Sequence, residues 1–222
     1  MATPKIAIIN YGAGNLRSVA KAFERIGYPP VVTTDPKVVA AADAVVLPGV
    51  GAALDTMTNL HARGMVEAIH DTVAKDRPFF GVCIGLQVLF EASDEGGAEC
   101  LGVLPGRVRR LSTGLKVPHM GWNQVEIARE HPLFAGIPNG SNFYFVHSYC
   151  AEPADSRVVL GRTEYGEVFC SVVARGNLVG TQFHPEKSGT LGLQVYANFV
   201  ERVVGARPMS QRVTGAQARR AG

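Results

Sequence analysis

Pro78-Phe79-Phe80-Gly81-Val82-Cys83-Ile84-Gly85-Leu86-Gln87 begins as a strand and ends as a helix. Its opening apolar run has the pattern of a parallel strand buried on both faces, and Ile84 to Glu91 reads as the helix that leaves it. Glycines two residues to either side of Cys83 remove the side chains that would collide in a tight strand-to-helix turn. Cys83 is therefore expected on a nucleophile elbow, lifted above the sheet edge. The helix N-terminus behind the sulfur carries partial positive charge, which favours the thiolate, the reactive form.

Outward from this turn the first half keeps alternating. Lys5 to Asn10 is a short strand that ends at Tyr11-Gly12-Ala13-Gly14-Asn15, after which Leu16, Val19, Ala20, Phe23 and Ile26 recur at helical spacing. Further strands are expected at Pro30 to Thr34 and Asp43 to Leu47, with a helix from about Ala52 to Ala74. This order predicts an α/β fold: a mixed, mainly parallel central sheet flanked by helices. The second half changes character. Val103 to Leu111, Asn123 to Ile127, Phe143 to Tyr149, Arg157 to Gly161, Val168 to Ala174 and Leu178 to Gln182 are closely spaced strand candidates parted by Gly, Pro and Asn, the pattern of additional antiparallel strands. A last helix is expected over about Leu191 to Val204. No Pro- or Ser-rich linker divides the chain, so residues 1–205 are expected to form one domain, and the basic stretch 206–222 a mobile tail.

The composition narrows the function classes. With 222 residues, 46% hydrophobic and 18% charged, the sequence has the balance of a globular protein with a sizeable core. The net charge of +3 owes much to Arg207, Arg212, Arg219 and Arg220. No basic stripe interleaved with aromatics marks the body, which argues against nucleic-acid binding. No apolar run is long enough to span a bilayer, and the four cysteines are scattered without a Cys-x-x-Cys pair. The expectation is a cytoplasmic enzyme with no membrane contact, metal or other cofactor.

A thiol nucleophile needs a base. His184, in Thr181-Gln182-Phe183-His184-Pro185-Glu186, follows a strand and should emerge at a sheet end, where Pro185 interrupts regular pairing. Glu186 then lies two positions on along an extended bend, placed to orient the imidazole and stabilise its protonated form. Oxyanion donors are expected from the backbone N–H of Ile84, immediately after the nucleophile, and of Val50 in Leu47-Pro48-Gly49-Val50-Gly51.

Gly81-Val82-Cys83-Ile84-Gly85-Leu86-Gln87 and Phe183-His184-Pro185-Glu186 together resemble the class I, triad-type glutamine amidotransferases. Within that family, Tyr11-Gly12-Ala13-Gly14-Asn15, Pro118-His119-Met120-Gly121-Trp122-Asn123, Tyr144-Phe145-Val146-His147-Ser148-Tyr149 and Gln182 to Ser188 are similar to the glutaminase subunits that serve imidazole glycerol phosphate synthase. The likeness covers nearly everything from residue 5 to 204.

The resemblance implies a flavodoxin-like amidotransferase fold and hydrolysis of L-glutamine through a thioester on Cys83, with His184 as acid and base and Glu186 as its orienting carboxylate. It implies substrate contacts from Gly51, Gln87, Glu95, Ser148 and Tyr149. It also implies a heterodimer with a TIM-barrel cyclase subunit, which uses the ammonia to form imidazole glycerol phosphate and AICAR from PRFAR in histidine biosynthesis. Asn15, Trp122, Tyr144 and Lys187 match positions at that contact, while His147 reads as a satisfied strand histidine. Ala53 departs from the family, where an aromatic is common. Two other readings are a glutaminase subunit for anthranilate or aminodeoxychorismate synthesis, and a catalytically silent regulatory module.

Overall fold

The computed structural model describes residues 3–12, 15–112 and 114–205; the expected tail, 206–222, lies outside them. Strands and helices alternate through the first half: β1 (Ile6–Ile9), α1 (Leu16–Arg25), β2 (Val31–Thr33), α2 (Pro36–Ala40), β3 (Ala44–Leu47), α3 (Ala53–Ala62), α4 (Met65–Ala74), β4 (Phe79–Val82) and α5 (Ile84–Gln87). A small hairpin, β5 (Ala92–Ser93) and β6 (Ala98–Glu99), leads to β7 (Gly106–Arg110), β8 (His119–Ile127), β9 (Ser141–His147), β10 (Tyr149–Pro153), β11 (Val159–Glu164), β12 (Val168–Arg175), β13 (Leu178–Thr181) and α6 (Gly189–Asn198).

The strand order runs β2-β1-β3-β4-β13-β12-β10-β7-β5-β6, with β11, β8 and β9 branching from β12. From β2 through β13 the neighbours are parallel; β13 with β12 and β12 with β10 are antiparallel. All residues of β1, β3, β4 and β13 are buried. Successive side chains of a strand point to opposite faces, and the core divides accordingly. Ala7, Ile9, Val45, Leu47 and Phe79 pack with Met57, Leu60 and Ile69 of α3 and α4. Ile6, Ile8, Val46, Phe80 and Val82 pack with Phe23 of α1 and Val195 and Tyr196 of α6. Among the described residues no helix is long and apolar enough to cross a membrane.

Several elements differ from the sequence expectation. The stretch 52–74 is two helices, because Gly64 adopts φ +62°, which ends one helical run and lets Met65 start another. The helix after Cys83 stops at Gln87; beyond it Leu89 and Phe90 make tighter bonds to the carbonyls of Leu86 and Gln87, three residues back. The run 143–149 is divided at Ser148, where the chain leaves β8 and takes up β7 as its partner. The run 157–161 opens as a 3₁₀ turn, Ser156–Val158, before β11 begins. The last helix starts at Gly189 and continues from Phe199 as a π-helical turn.

The glycines around Cys83 have separate steric causes. A Cβ on Gly81 would lie 2.5 Å from the Gly85 carbonyl oxygen, and one on Gly85 would lie 1.9 Å from the Leu47 carbonyl oxygen. The start of α5 is thus pressed between the ends of β4 and β3. Gly85→Ala is expected to destabilise the fold by about 3 kcal/mol through overpacking, lowering Tm by roughly 6–12 °C for a chain of this size. Calorimetry checks this, and an unchanged Tm would contradict so close a contact.

Candidate active site

The C-terminal ends of β3, β4 and β13 open together on one side of the sheet, where doubly wound folds bind their ligands. β4 and β13 pair in parallel with Val82 opposite Thr181, and the Cys83 N–H continues the ladder to the Thr181 carbonyl at 2.7 Å. Cys83 itself has φ +54° and ψ −110°. A side-chain-bearing residue there is strained, and such strain concentrates at functional positions. The Ile84 N–H stands at the first position of α5, where no intrahelical acceptor exists for it.

His184 precedes a 3₁₀ turn, Pro185–Lys187, rather than an extended bend, since the fixed φ of Pro185 suits the first turn position. Its Nδ1 lies 2.8 Å from Glu186 Oε1. Asn15 Nδ2 donates to the same carboxylate oxygen and the Tyr196 hydroxyl to the other, each at 3.2 Å. The His184 loop is also tied to β9: the His184 N–H donates to the Tyr144 carbonyl at 2.9 Å, and the Tyr144 N–H to the Ser188 hydroxyl at 3.0 Å.

Burial pushes the His184 imidazolium towards losing its proton, but the Cys83 sulfur and the Glu186 carboxylate outweigh it and raise the pKa to about 10. Burial likewise opposes the Glu186 charge, and His184 and Asn15 overcome it, holding that carboxyl below its ordinary range. His184 Nε2 is buried and has no hydrogen-bond partner among the described residues. It is the ring atom left available for proton transfer. Cys100, Cys150 and Cys170 stand apart from this chemistry, their thiols raised by burial to about 11, 12 and 12.

A cavity of about 380 Å³ is lined by Val50, Gly51, Cys83, Ile84, Gln87, Glu95, Ser148, Tyr149, His184 and Lys187, among others. All the residues expected to recognise substrate or supply oxyanion donors therefore line the same cavity as the sulfur. Gly51 needs its φ of +110° to turn this loop, and the Val50 side chain is 38% exposed at the rim. The buried Tyr11 hydroxyl sits under the same turn, about 2.6 Å from where a Gly49 Cβ would be. Glu95 accepts the Ala53 N–H at 2.9 Å, which fixes it at the start of α3; burial raises its pKa. Among the positions expected at a subunit contact, Trp122 is 58% exposed beside Met120 at 62%. Trp122 meets Tyr144 edge-on across β8 and β9, and the Lys187 ammonium lies 5.8 Å from the Tyr144 ring centre. Asn15 instead turns inward to Glu186.

Sequence reasoning did not find two further features. The His147 Nδ1 meets the Tyr149 carbonyl at 2.8 Å and its Nε2 meets His119 Nδ1 at 2.9 Å. Burial lowers both pKa values, to about 3 for His147 and about 4 for His119, so the pair is neutral. Gln182 reaches the sulfur itself: its Nε2 lies 3.6 Å from Cys83 Sγ. The available signal was an amide side chain between the end of a strand and Phe183-His184-Pro185-Glu186.

The Cys83 sulfur is the neighbour that most raises His184, so its removal gives a signed prediction. By NMR the native imidazole is expected to hold its proton at neutral pH and to lose it near pH 10. In Cys83→Ala only Glu186 opposes burial, and the transition moves to lower pH. A native midpoint at or below 6.5, the ordinary value, would contradict the coupling.

The Glutamine amidotransferase class-I family model matches residues 7–203. The imidazole glycerol phosphate synthase subunit HisH of Dehalococcoides mccartyi (strain CBDB1) is 52% identical over 201 residues, covering 90% of this chain and 98% of the relative. The subunit of the same name from Moorella thermoacetica is 55% identical over 199 residues, covering 89% and 95%. Among solved structures, a glutamine amidotransferase aligns with a TM-score of 0.72 at 20% identity, covering 90% of this chain and 99% of that one. A Thermotoga maritima glutamine amidotransferase gives 0.68 at 16%, covering 93% and 100%. These two share the fold; the family match and the closer relatives carry more, and by them the chain belongs to the class I glutamine amidotransferases.

Proposed function

We propose that the chain is the glutaminase subunit of imidazole glycerol phosphate synthase, with residues 1–205 acting as one amidotransferase domain. The observation that carries the chemistry is the meeting, in one cavity, of a cysteine on a positive-φ elbow with a buried His184–Glu186 pair. The name borne by the relatives supplies the pathway.

The proposed steps use the residues that line this cavity. Glutamine enters with its side-chain amide at Cys83; Gln87 and the backbone around Gly51, Ser148 and Tyr149 hold it, and Glu95 receives its ammonium. The Cys83 thiolate attacks the amide carbon, and the Ile84 and Val50 N–H groups take the developing oxyanion. His184 gives the proton at Nε2 to the leaving nitrogen, the C–N bond breaks, and a glutamyl thioester and ammonia form. The now neutral imidazole takes a proton from water, whose oxygen attacks the thioester; the C–S bond breaks, the new carboxylic acid loses its proton to solvent and leaves as glutamate, and the thiolate and imidazolium are restored. Throughout, Glu186 remains ionised and orients the ring.

Ammonia released into water is protonated and diluted, so it must pass directly to a second protein. Exposed Met120 and Trp122 beside the half-buried Tyr144 give one face the aromatic and methionine character of an interface core, with exposed Lys187 bordering it. It adjoins the His184 loop, which suits a heterodimer with a TIM-barrel cyclase. Cys83→Ala is expected to abolish glutamine-dependent synthesis by the two-subunit enzyme, at least a thousandfold down, while added ammonium salt still supports it. Loss of both activities together, with the complex intact, would overturn the glutaminase assignment.

A further inference from the structure

The reaction above uses His184 and Glu186 of the Gln182-Phe183-His184-Pro185-Glu186 segment but leaves Gln182 without a task. This side chain is fully buried directly after β13. Two contacts fix which way its amide faces. The Tyr149 carbonyl can only accept, so Gln87 turns its amide nitrogen to it, at 2.9 Å. The second hydrogen on that nitrogen points to Gln182 at 3.0 Å, so Gln182 presents its oxygen there. Its own nitrogen is thereby left for the Cys83 sulfur, at 3.6 Å. Neither amide can flip without setting like groups against each other.

The anchor of this chain is itself well held. The Tyr149 carbonyl also accepts the Nδ1 hydrogen of His147, which makes His147 Nε2 an acceptor and so makes His119 Nδ1 the donor. Asn123 Nδ2 donates to His119 Nε2 at 3.2 Å and completes the set. Two donor arms thus converge on the Tyr149 carbonyl, one from Asn123 through the histidines and one from Gln87, which also donates to Gln182.

We propose that Gln182 is a positioning residue for Cys83: its side-chain amide, aimed by Gln87, donates a hydrogen bond that holds the sulfur in its reactive orientation and favours the thiolate. The proposal rests on Cys83 being the nucleophile. A neutral amide has no proton to gain or lose over the working pH range, so this donor persists whatever the state of the neighbours. The titratable groups facing the sulfur are His184 from the loop after β13, with Glu186 behind it, Tyr11 from the loop after β1, and Glu95, His147 and Lys187 on the cavity wall. Among the described residues the sulfur also meets the Val146 carbonyl, at 4.0 Å, which accepts from the thiol and offers nothing to a thiolate.

The test is the pH profile of Cys83 alkylation by iodoacetamide in the full chain, resolved from Cys100 by peptide mass spectrometry. It needs neither glutamine nor a partner, so it separates this proposal from the assignment of function. Gln182→Met keeps the length and removes the donor; Gln182→Glu keeps the shape and puts an acceptor against the sulfur. Hydrogen bonds to charged groups set the scale, and the Met variant is expected to raise the alkylation midpoint by about one pH unit, the Glu variant by more. In the assembled enzyme kcat falls about tenfold or more while KM for glutamine changes little. An unshifted midpoint in both folded variants would overturn the proposal, even if kcat fell. The unsubstituted chain gives a reading that survives misfolding of either variant. By NMR the Gln182 side-chain amide resonances should move with pH at the Cys83 midpoint and cease to do so in Cys83→Ala; resonances indifferent to that midpoint would also overturn it.

Discussion

Val82 lies opposite Thr181 in a parallel pair formed by segments a hundred residues apart, and the Cys83 N–H adds one more rung to that ladder. This pairing sets the distance between nucleophile and base. Parallel neighbours end at the same sheet edge, so the residues after β4 and after β13 must emerge together, with the end of β3 on the far side of β4. The first half of the fold builds β4 and its elbow. The mainly antiparallel second half intervenes before β13 returns alongside it.

The elbow concentrates the strain of this arrangement in one residue. A positive φ at Cys83 is unfavourable by about 1–3 kcal/mol, and it persists because its surroundings leave no alternative. The Cys83 N–H is bonded to Thr181, its carbonyl accepts from the Leu86 and Gln87 N–H groups, and the glycines on either side are pressed against backbone. The same compression sets the start of α5 behind the sulfur.

The strand-turn-helix around Cys83, the His184–Glu186 pair and the buried parallel strands were legible because each is written in a few adjacent residues. The Gly64 break in 52–74 was not, since helical spacing carries across an isolated glycine. The division at Ser148 was hidden for a related reason: alternation through Phe143 to Tyr149 does not say when a strand changes partners. The Gln182–Gln87–Tyr149 contacts join residues 95 and 62 positions apart. No local pattern announces them, and Gln87 read alone is simply a helix residue. His147 was legible as a strand histidine with its needs met, but His119 became its partner only once β8 and β9 were in register.

Half-buried Tyr144 meets exposed Trp122 and Lys187 through its ring and the His184 loop through its backbone, accepting the His184 N–H and donating to Ser188. Main-chain bonds do not change when a side chain is replaced. The outward ring can thus diverge between lineages, following whatever surface it meets, while the attachment beneath it is inherited unaltered. Proteins built this way can drift at the contact without drifting at the imidazole, and their partner-facing residues are free to co-evolve with another chain.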